Sequence, residues 1–387
     1  MTNSTTERAL LADAAILVAA FVLPPVIAVV LAGIGSGFAP VRHLDIVGNT
    51  LLFGAATAAG ALLIGGGLAV ILGPDVPGRA TLERLVVMPL YLTPLLTAMG
   101  WNWLASPKSG LLNLLLHAAG LGLRVNAVTP AGAIFVSALA TAPLAYLLVS
   151  DALRAIDASL TEAARVHGAN ARVTFRRIVA PLLRPALFAS AILVFVQAVG
   201  MFSVPAVLGM PAGFTVATTQ IYQLLESYPP RTGEATAWGV LLLILTALIT
   251  LVQSRLLADR SFSTITGKSF RPATARAPLA TGRAALGWVY VALATFLPLV
   301  ALLWAASIAF ITVDRHLVRF TAAHFSYVLL SYPKTWEAAA NSTILGVLTA
   351  TAVCALGFAV SWIVSIIIYR MNDYDSIEVR PGNSPMS

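Results

Sequence analysis

Long stretches without a charged residue dominate this sequence. Eight of them are long enough for a membrane-spanning helix, which needs about 20 apolar residues. They cover residues 15–41, 46–74, 85–107, 125–150, 185–225, 235–254, 284–313 and 338–369. Each run is continuously apolar, whereas the strands of a membrane barrel alternate apolar and polar residues. The sequence therefore predicts an all-α polytopic membrane protein with about eight transmembrane helices.

Composition supports this fold class, and three of the runs refine it. Charged residues make up 10% of the chain, against about 25% in a soluble domain. Prolines and glycines in the second half of 185–225 limit that helix to about residues 185–207. A further run, 109–123, is too short to span and is typical of an interfacial or re-entrant helix. The first run exceeds the usual 7–15-residue core of a signal peptide, so we expect a retained helix.

The distribution of positive charge predicts the orientation in the membrane. If the N-terminus lies inside, the inside segments hold 17 of the 24 Lys and Arg residues and the outside segments hold seven. Cytoplasmic loops carry the excess of Lys and Arg, so we expect a cytoplasmic N-terminus in a bacterial inner membrane. The positive residues are spread over several loops, which argues against nucleic acid as a partner.

The chain carries signs of an internal repeat on either side of a polar linker. The linker, residues 259–283, is basic and rich in Thr, Ser and Pro. At an offset of 292 residues, six identities align: Asn49 with Asn341, Gly54 with Gly346, Thr57 with Thr349, Ala58 with Ala350, Gly65 with Gly357, and Ile71 with Ile363. The sequence thus predicts a first half at 1–258, an incomplete second half at 284–369 and a polar tail at 370–387.

One predicted cytoplasmic loop, within residues 153–184, has an ordered pattern of residue types. It contains EAARVHGANARVTFRRIVAP at 162–181. Glu162 stands near a helix start, where a negative charge is favourable, and Gly168 can end that helix in a left-handed conformation. We expect two short helices with a sharp bend, the first offering a small Ala and Val surface to a groove on a partner.

This loop resembles the EAA loop of permeases from binding-protein-dependent ABC importers. The matching residues are Glu162, Ala163, Ala164, Gly168, Ile178 and Pro181, while Ala180 replaces the usual Leu. The resemblance implies a six-helix type I importer core followed by the first two helices of a second repeat. It also implies cytoplasmic ABC ATPase subunits and a periplasmic or extracellular solute-binding protein as partners, with ATP hydrolysis on the separate subunit.

In that family the loop docks on the ATPase, which suggests a role for each matching residue. We expect Glu162 to make polar contact with the ATPase, and the two alanines to allow close approach. Gly168 would form the bend, and Ile178 and Pro181 would anchor the loop to the next span.

The stretches 202–222 and 262–272 resemble ferric-iron-type permeases, in which two halves are fused. Thiamine, phosphonates and polyamines remain alternative solutes, because related fused permeases carry them. No cofactor is expected. The single cysteine, Cys354, cannot form a disulfide framework or a cysteine metal site within one chain.

The solute path is less marked in the sequence. No charged residue lies within the spans, which argues against a proton-coupled secondary transporter and against a metal-selective pore. The polar candidates are Gln197, Ser203, Thr218, Thr219 and Gln220. Each is also explained as a hydrogen-bonding residue in helix packing.

The second half has only two predicted spans, and a second coupling loop would lie beyond residue 387. Three interpretations follow. The chain is an inactive truncated permease, a permease that dimerises or pairs with a separate half, or a non-ABC membrane protein such as a secondary transporter or scaffold. Membrane lipid is a partner in each.

Overall fold

The computed structural model describes residues 23–33, 40, 43–73, 75–107, 110–258, 280–309 and 319–378. The described chain is helical, apart from turns and one isolated bridge between Ile308 and Phe320. The predicted linker lies mainly outside the described residues, as do most of the first apolar run and the end of the polar tail.

The helices follow the apolar runs of the sequence. In chain order they are α1 (Leu23–Gly33), α2 (Leu44–Ile71), α3 (Arg79–Tyr91), α4 (Pro94–Ala105), α5 (Leu111–Ala118), α6 (Pro130–Ala155), α7 (Ala158–Val166), α8 (Ala171–Val199), α9 (Ala217–Glu226), α10 (Thr232–Ala258), α11 (Ala280–Ser307) and α12 (Lys334–Glu378). A short helical segment, residues 323–331, precedes α12.

Six of these helices are long and apolar enough to cross a membrane, namely α2, α6, α8, α10, α11 and α12. The pair α3 and α4 is bent by 98° and would be a seventh span if taken together. The polytopic all-α fold is thereby confirmed. The predicted number of eight spans stays a prediction. Of the first apolar run, the structure describes mainly α1, and α1 is shorter than a membrane-spanning helix.

The boundaries of α8 differ from the helix predicted at 185–207. Asn170 caps the helix, since its side chain accepts a hydrogen bond from the Val173 amide. A π-turn at Phe175–Val179 carries the helix on toward Pro181, so the helix starts well before the prolines that the sequence suggested as its beginning. It ends at Val199, and a π-turn at Pro205–Gly209 follows.

Two compact units divide the chain: residues 29–321, and residues 1–28 with 322–387. In the first unit, α2 packs closely on α6 and α8 through small residues. A Cβ at Gly65 would collide with the carbonyl oxygen of Ala142, and one at Gly54 would press on Val199. Small residues at helix interfaces let backbones approach, which is how membrane helices gain packing energy.

Helix α11 also packs within this first unit. Its Pro298 fills the space beside Gly100 of α4, and its Gly287 lies against Leu72 and Leu82. The Tyr290 hydroxyl donates to the carbonyl oxygen of Leu139 at 3.1 Å. The division into two permease halves stays a prediction. What the structure adds is that the first helix after the linker is packed with the helices before it.

Asn49, the first residue of the proposed repeat, and its neighbour Thr50 have a structural role in α2. The Asn49 side-chain amide donates to the Thr215 carbonyl at 3.2 Å. The Thr50 hydroxyl accepts the Ala217 amide at 2.8 Å and donates to the Ile46 carbonyl. These bonds join α2 to the start of α9, directly after the irregular segment 200–216 that follows α8.

Thr50→Val should destabilise the protein by about 1–3 kcal/mol, because it leaves the buried Ala217 amide without an acceptor. Thermal unfolding in detergent micelles measures the change. Thr57→Val is the matched control. Its hydroxyl is buried on the same helix without a hydrogen-bond partner among the described residues, so its loss should be nearly neutral. Equal destabilisation by the two substitutions would contradict the assigned role of Thr50.

Candidate functional site

The loop between α6 and α8 folds into one short helix and a tight turn. Asp157 caps α7, and its carboxylate accepts the Ser159 amide at 2.9 Å. An Asp at this position accepts a hydrogen bond from an amide that has no partner inside the helix. Its negative charge also interacts favourably with the positive end of the helix dipole. The local sequence therefore starts α7 at Ala158, ahead of the Glu-Ala-Ala stretch.

Gly168 ends α7 in a left-handed conformation, with a φ of 76°. The Ala169 amide donates to the Ala164 carbonyl at 2.9 Å, and the Gly168 amide donates to the Arg165 carbonyl at 3.0 Å. This pair of bonds is the Schellman motif, in which glycine avoids the steric penalty of a Cβ. The predicted bend is therefore present at Gly168, and Asn170 begins α8 directly after it.

The outward surface of α7 is small and largely apolar. Glu162, Ala163 and Val166 are exposed, and the Val166 side chain is 85% exposed. Residues three and four apart share a helix face, so these three lie together. Ala164 is half-buried and lies on another side of the helix. Val166 is the valine of the small Ala and Val surface that the sequence predicts for this helix, although it stands outside the family-matched residues.

Both ends of the loop are fixed by one buried cluster. Ile156, just before α7, packs with Val149 of α6 and with Val179 and Leu183 of α8. The family-matched residues Ile178 and Pro181 are half-buried in the first turns of α8, and their anchoring role stays a prediction. The helix α7 is consequently held at both ends by α6 and α8.

Exposed positive charges lie on α7 and on the first turns of α8. Arg165 belongs to α7, and Arg172, Arg176 and Arg177 belong to the first turns of α8; all four are exposed. Because exposed arginines attract carboxylates and favour an acidic partner surface, the arrangement suits a protein groove with negative charge near its rim.

The five solute-path candidates lie in different surroundings. The Thr218 hydroxyl donates to the Met201 carbonyl at 2.9 Å, and the Thr219 hydroxyl accepts the Val216 amide at 3.0 Å. These two threonines stabilise the start of α9. Gln197 is exposed on α8, whereas Ser203 and Gln220 are half-buried. Their role in solute passage stays a prediction.

Among the described residues, no group of three His, Cys, Asp or Glu side chains is arranged to hold a metal ion. Cys354 is exposed on α12. The feature that the described site offers is the exposed surface of α7.

Comparison with known proteins gives a family match over residues 61–262, to the binding-protein-dependent transport system inner membrane component. The ferric transport system permease protein FbpB of Actinobacillus pleuropneumoniae is 41% identical over 133 residues, 34% of this chain. The chain covers only 19% of that relative's length. A probable ABC transporter permease protein of Brucella abortus is 28% identical over 229 residues, covering 57% of this chain and 78% of the relative.

Among solved structures, the fold is similar to a chain of a bacterial ABC transporter involved in the import of the acidic polysaccharide alginate. The TM-score is 0.55 at 20% identity, and the match covers 66% of this chain and 95% of that chain. At this identity the likeness shows the helical fold.

Proposed function

We propose that this chain, which belongs to the family of binding-protein-dependent transport system inner membrane components, is a permease subunit of an ATP-driven importer. In this proposal the chain lies in the bacterial inner membrane with its N-terminus in the cytoplasm. The observation that carries the proposal is the way in which α7 is held. It is a short exposed helix that ends at Gly168, and the spans α6 and α8 fix it at both ends.

The coupling mechanism follows from how α7 is held. A cytoplasmic ABC ATPase would bind the face of α7 that carries Glu162, Ala163 and Val166. The buried contact of Ile156 with Val179 and Leu183 joins α6 to α8 directly beneath α7. A displacement of α7 would then move both helices as one packed element, because well-packed interfaces shift between discrete arrangements and do not deform continuously. ATP binding would in this way bias the state of the spans.

For the solute we propose ferric iron. The support is the 41% identity to a ferric transport permease, together with the resemblance of residues 202–222 and 262–272. A soluble binding protein would deliver the solute at the outer face, and a second permease half would complete the path. Uptake of labelled ferric iron into vesicles, measured beside thiamine, a phosphonate and a polyamine, tests the solute. Uptake of one of the others in place of iron would overturn this assignment while leaving the importer proposal standing.

Val166→Asp should weaken docking of the ATPase and lower uptake by about tenfold or more, since a buried unpaired carboxylate costs several times the 1.4 kcal/mol that a tenfold change requires. Co-purification of the ATPase with the full chain, and ATP-dependent uptake, measure the effect. Glu162→Ala should act in the same direction.

The matched control for Val166→Asp is Leu115→Asp. Leu115 is an exposed apolar residue of α5, on the side predicted to face away from the cytoplasm, so ATPase binding should persist. The proposal fails if Val166→Asp and the wild-type chain retain the same amount of ATPase.

A further inference from the structure

A cavity of about 220 Å³ lies at the end of the helix bundle that also carries α7. It opens between the C-terminal end of α2, the start of α3, the last turns of α6 and the first turn of α11. Part of its lining is apolar, including Val70 and Leu153, and part is charged. The cavity is thus amphipathic, and it sits where three membrane-spanning helices begin or end.

Positive charge is in excess around this cavity. Three arginines line it, Arg79, Arg154 and Arg283, against the two carboxylates of Asp75 and Glu83. A third carboxylate, Asp151, lies 3.9 Å from Arg154, but its side chain is 71% exposed and outside the lining. Arg154 also lies 3.4 Å from Glu83, which it shares with Arg79. The lining therefore keeps one more positive charge than its own carboxylates balance, and Asp151 outside it is screened by water.

The ion pairs leave donors available on the arginines. Arg79 bonds Glu83 through Nε at 2.8 Å, and Arg283 pairs with Asp75 through one terminal nitrogen. A guanidinium has five N–H donors, so each keeps further donors. The Asp75 and Arg283 side chains are only 11% and 24% exposed. The excess positive charge belongs to Arg79 and Arg154, which share Glu83 and whose side chains are 32% and 56% exposed. An anion can therefore reach both guanidinium groups and accept their remaining donors.

We propose that this cavity binds a phosphate group. Guanidinium groups bind phosphate through paired, charge-assisted hydrogen bonds, and basic pockets between membrane helices on the cytoplasmic side bind anionic lipid headgroups. The hydroxyl-bearing residues Tyr146 and Ser150 also line the cavity and add donors. This inference rests on the proposed orientation, which puts this end of the bundle on the cytoplasmic side, but not on the proposed importer activity.

The lining accommodates two sources of the phosphate. Val70 at the apolar side is 39% exposed, so an acyl chain of a cytoplasmic-leaflet phospholipid could lie along it while the headgroup enters. A soluble phosphate would use the charged residues alone. Both sources require the same arginines, which makes one set of variants decisive.

The experiment uses the full chain in lipid nanodiscs. One arm replaces phosphatidylcholine stepwise by phosphatidylglycerol in phosphate-free buffer, and the other titrates inorganic phosphate into nanodiscs of phosphatidylcholine alone. The midpoint of thermal unfolding reports binding, because a ligand of the folded state raises it. Retention of phosphatidylglycerol in native mass spectrometry is the second readout. We expect saturable stabilisation in at least one arm.

Arg79→Gln should require about tenfold more ligand for the same stabilisation, the loss expected for one charge-assisted contact. Arg84→Gln is the matched control, since Arg84 is exposed on the same helix and is not part of the lining. A response to phosphatidylglycerol alone assigns a lipid headgroup, and a response to inorganic phosphate assigns a soluble anion. No response in either arm, or equal weakening by Arg79→Gln and Arg84→Gln, overturns the proposal.

Discussion

Gly168→Val should reduce ATP-driven uptake by about tenfold or more while leaving ATP hydrolysis by the assembled complex in place. The φ of 76° at Gly168 costs an ordinary L-residue about 1–2 kcal/mol, and more for a β-branched side chain. The chain would escape this cost by opening the turn, which breaks the bonds from Ala169 and Gly168 back to α7. The helix would then no longer transmit displacement to α6 and α8. Parallel assays of hydrolysis and uptake in proteoliposomes measure the loss of coupling.

Two controls separate this effect from general destabilisation. Gly168→Asn should retain most of the uptake, because Asn adopts the left-handed conformation more readily than Val. Gly120→Val places the same side chain at the same φ of 76°, in the loop after α5. It should leave coupling intact. Wild-type uptake by Gly168→Val, or equal losses at the two glycines, would contradict the role assigned to the turn.

Gly65→Ala should destabilise the folded chain by about 3 kcal/mol, at the upper end of the usual cost of overpacking. The added methyl group would meet the backbone carbonyl of Ala142, which cannot move aside as a flexible side chain would. Helices α2 and α6 would have to separate along their contact. Thermal unfolding in nanodiscs is the measurement, with size-exclusion chromatography as a check that the chain still folds.

The control for Gly65→Ala is two residues away on the same helix. A Cβ at Gly67 would have no atom within 4 Å. Since alanine is the better helix former by about 1 kcal/mol, Gly67→Ala should be neutral or stabilising. A neutral Gly65→Ala would show that the α2–α6 contact is looser than the structure has it.

The sequence was most informative where one physical rule decides the outcome. Charge-free runs predicted helices because an apolar environment leaves backbone groups no other partner, and the described helices follow those runs. The position of Gly168 predicted the bend, since few other residues adopt a left-handed backbone. The same reasoning was less accurate at α8, where prolines suggested a later start than Ala171. Proline tolerates the first turn of a helix, and a π-turn can lead into it.

What the sequence by itself determined was the membrane class, the helical fold and the loop that offers α7, because hydropathy and backbone preferences are local properties. Tertiary structure alone decided the rest. It packed α11 against Gly100 and Leu82, and gathered Asp75, Glu83, Arg154 and Arg283 around one cavity. The physical reason is that these contacts join residues far apart in the chain, and their energies depend on which helix faces meet, a property that no local pattern carries.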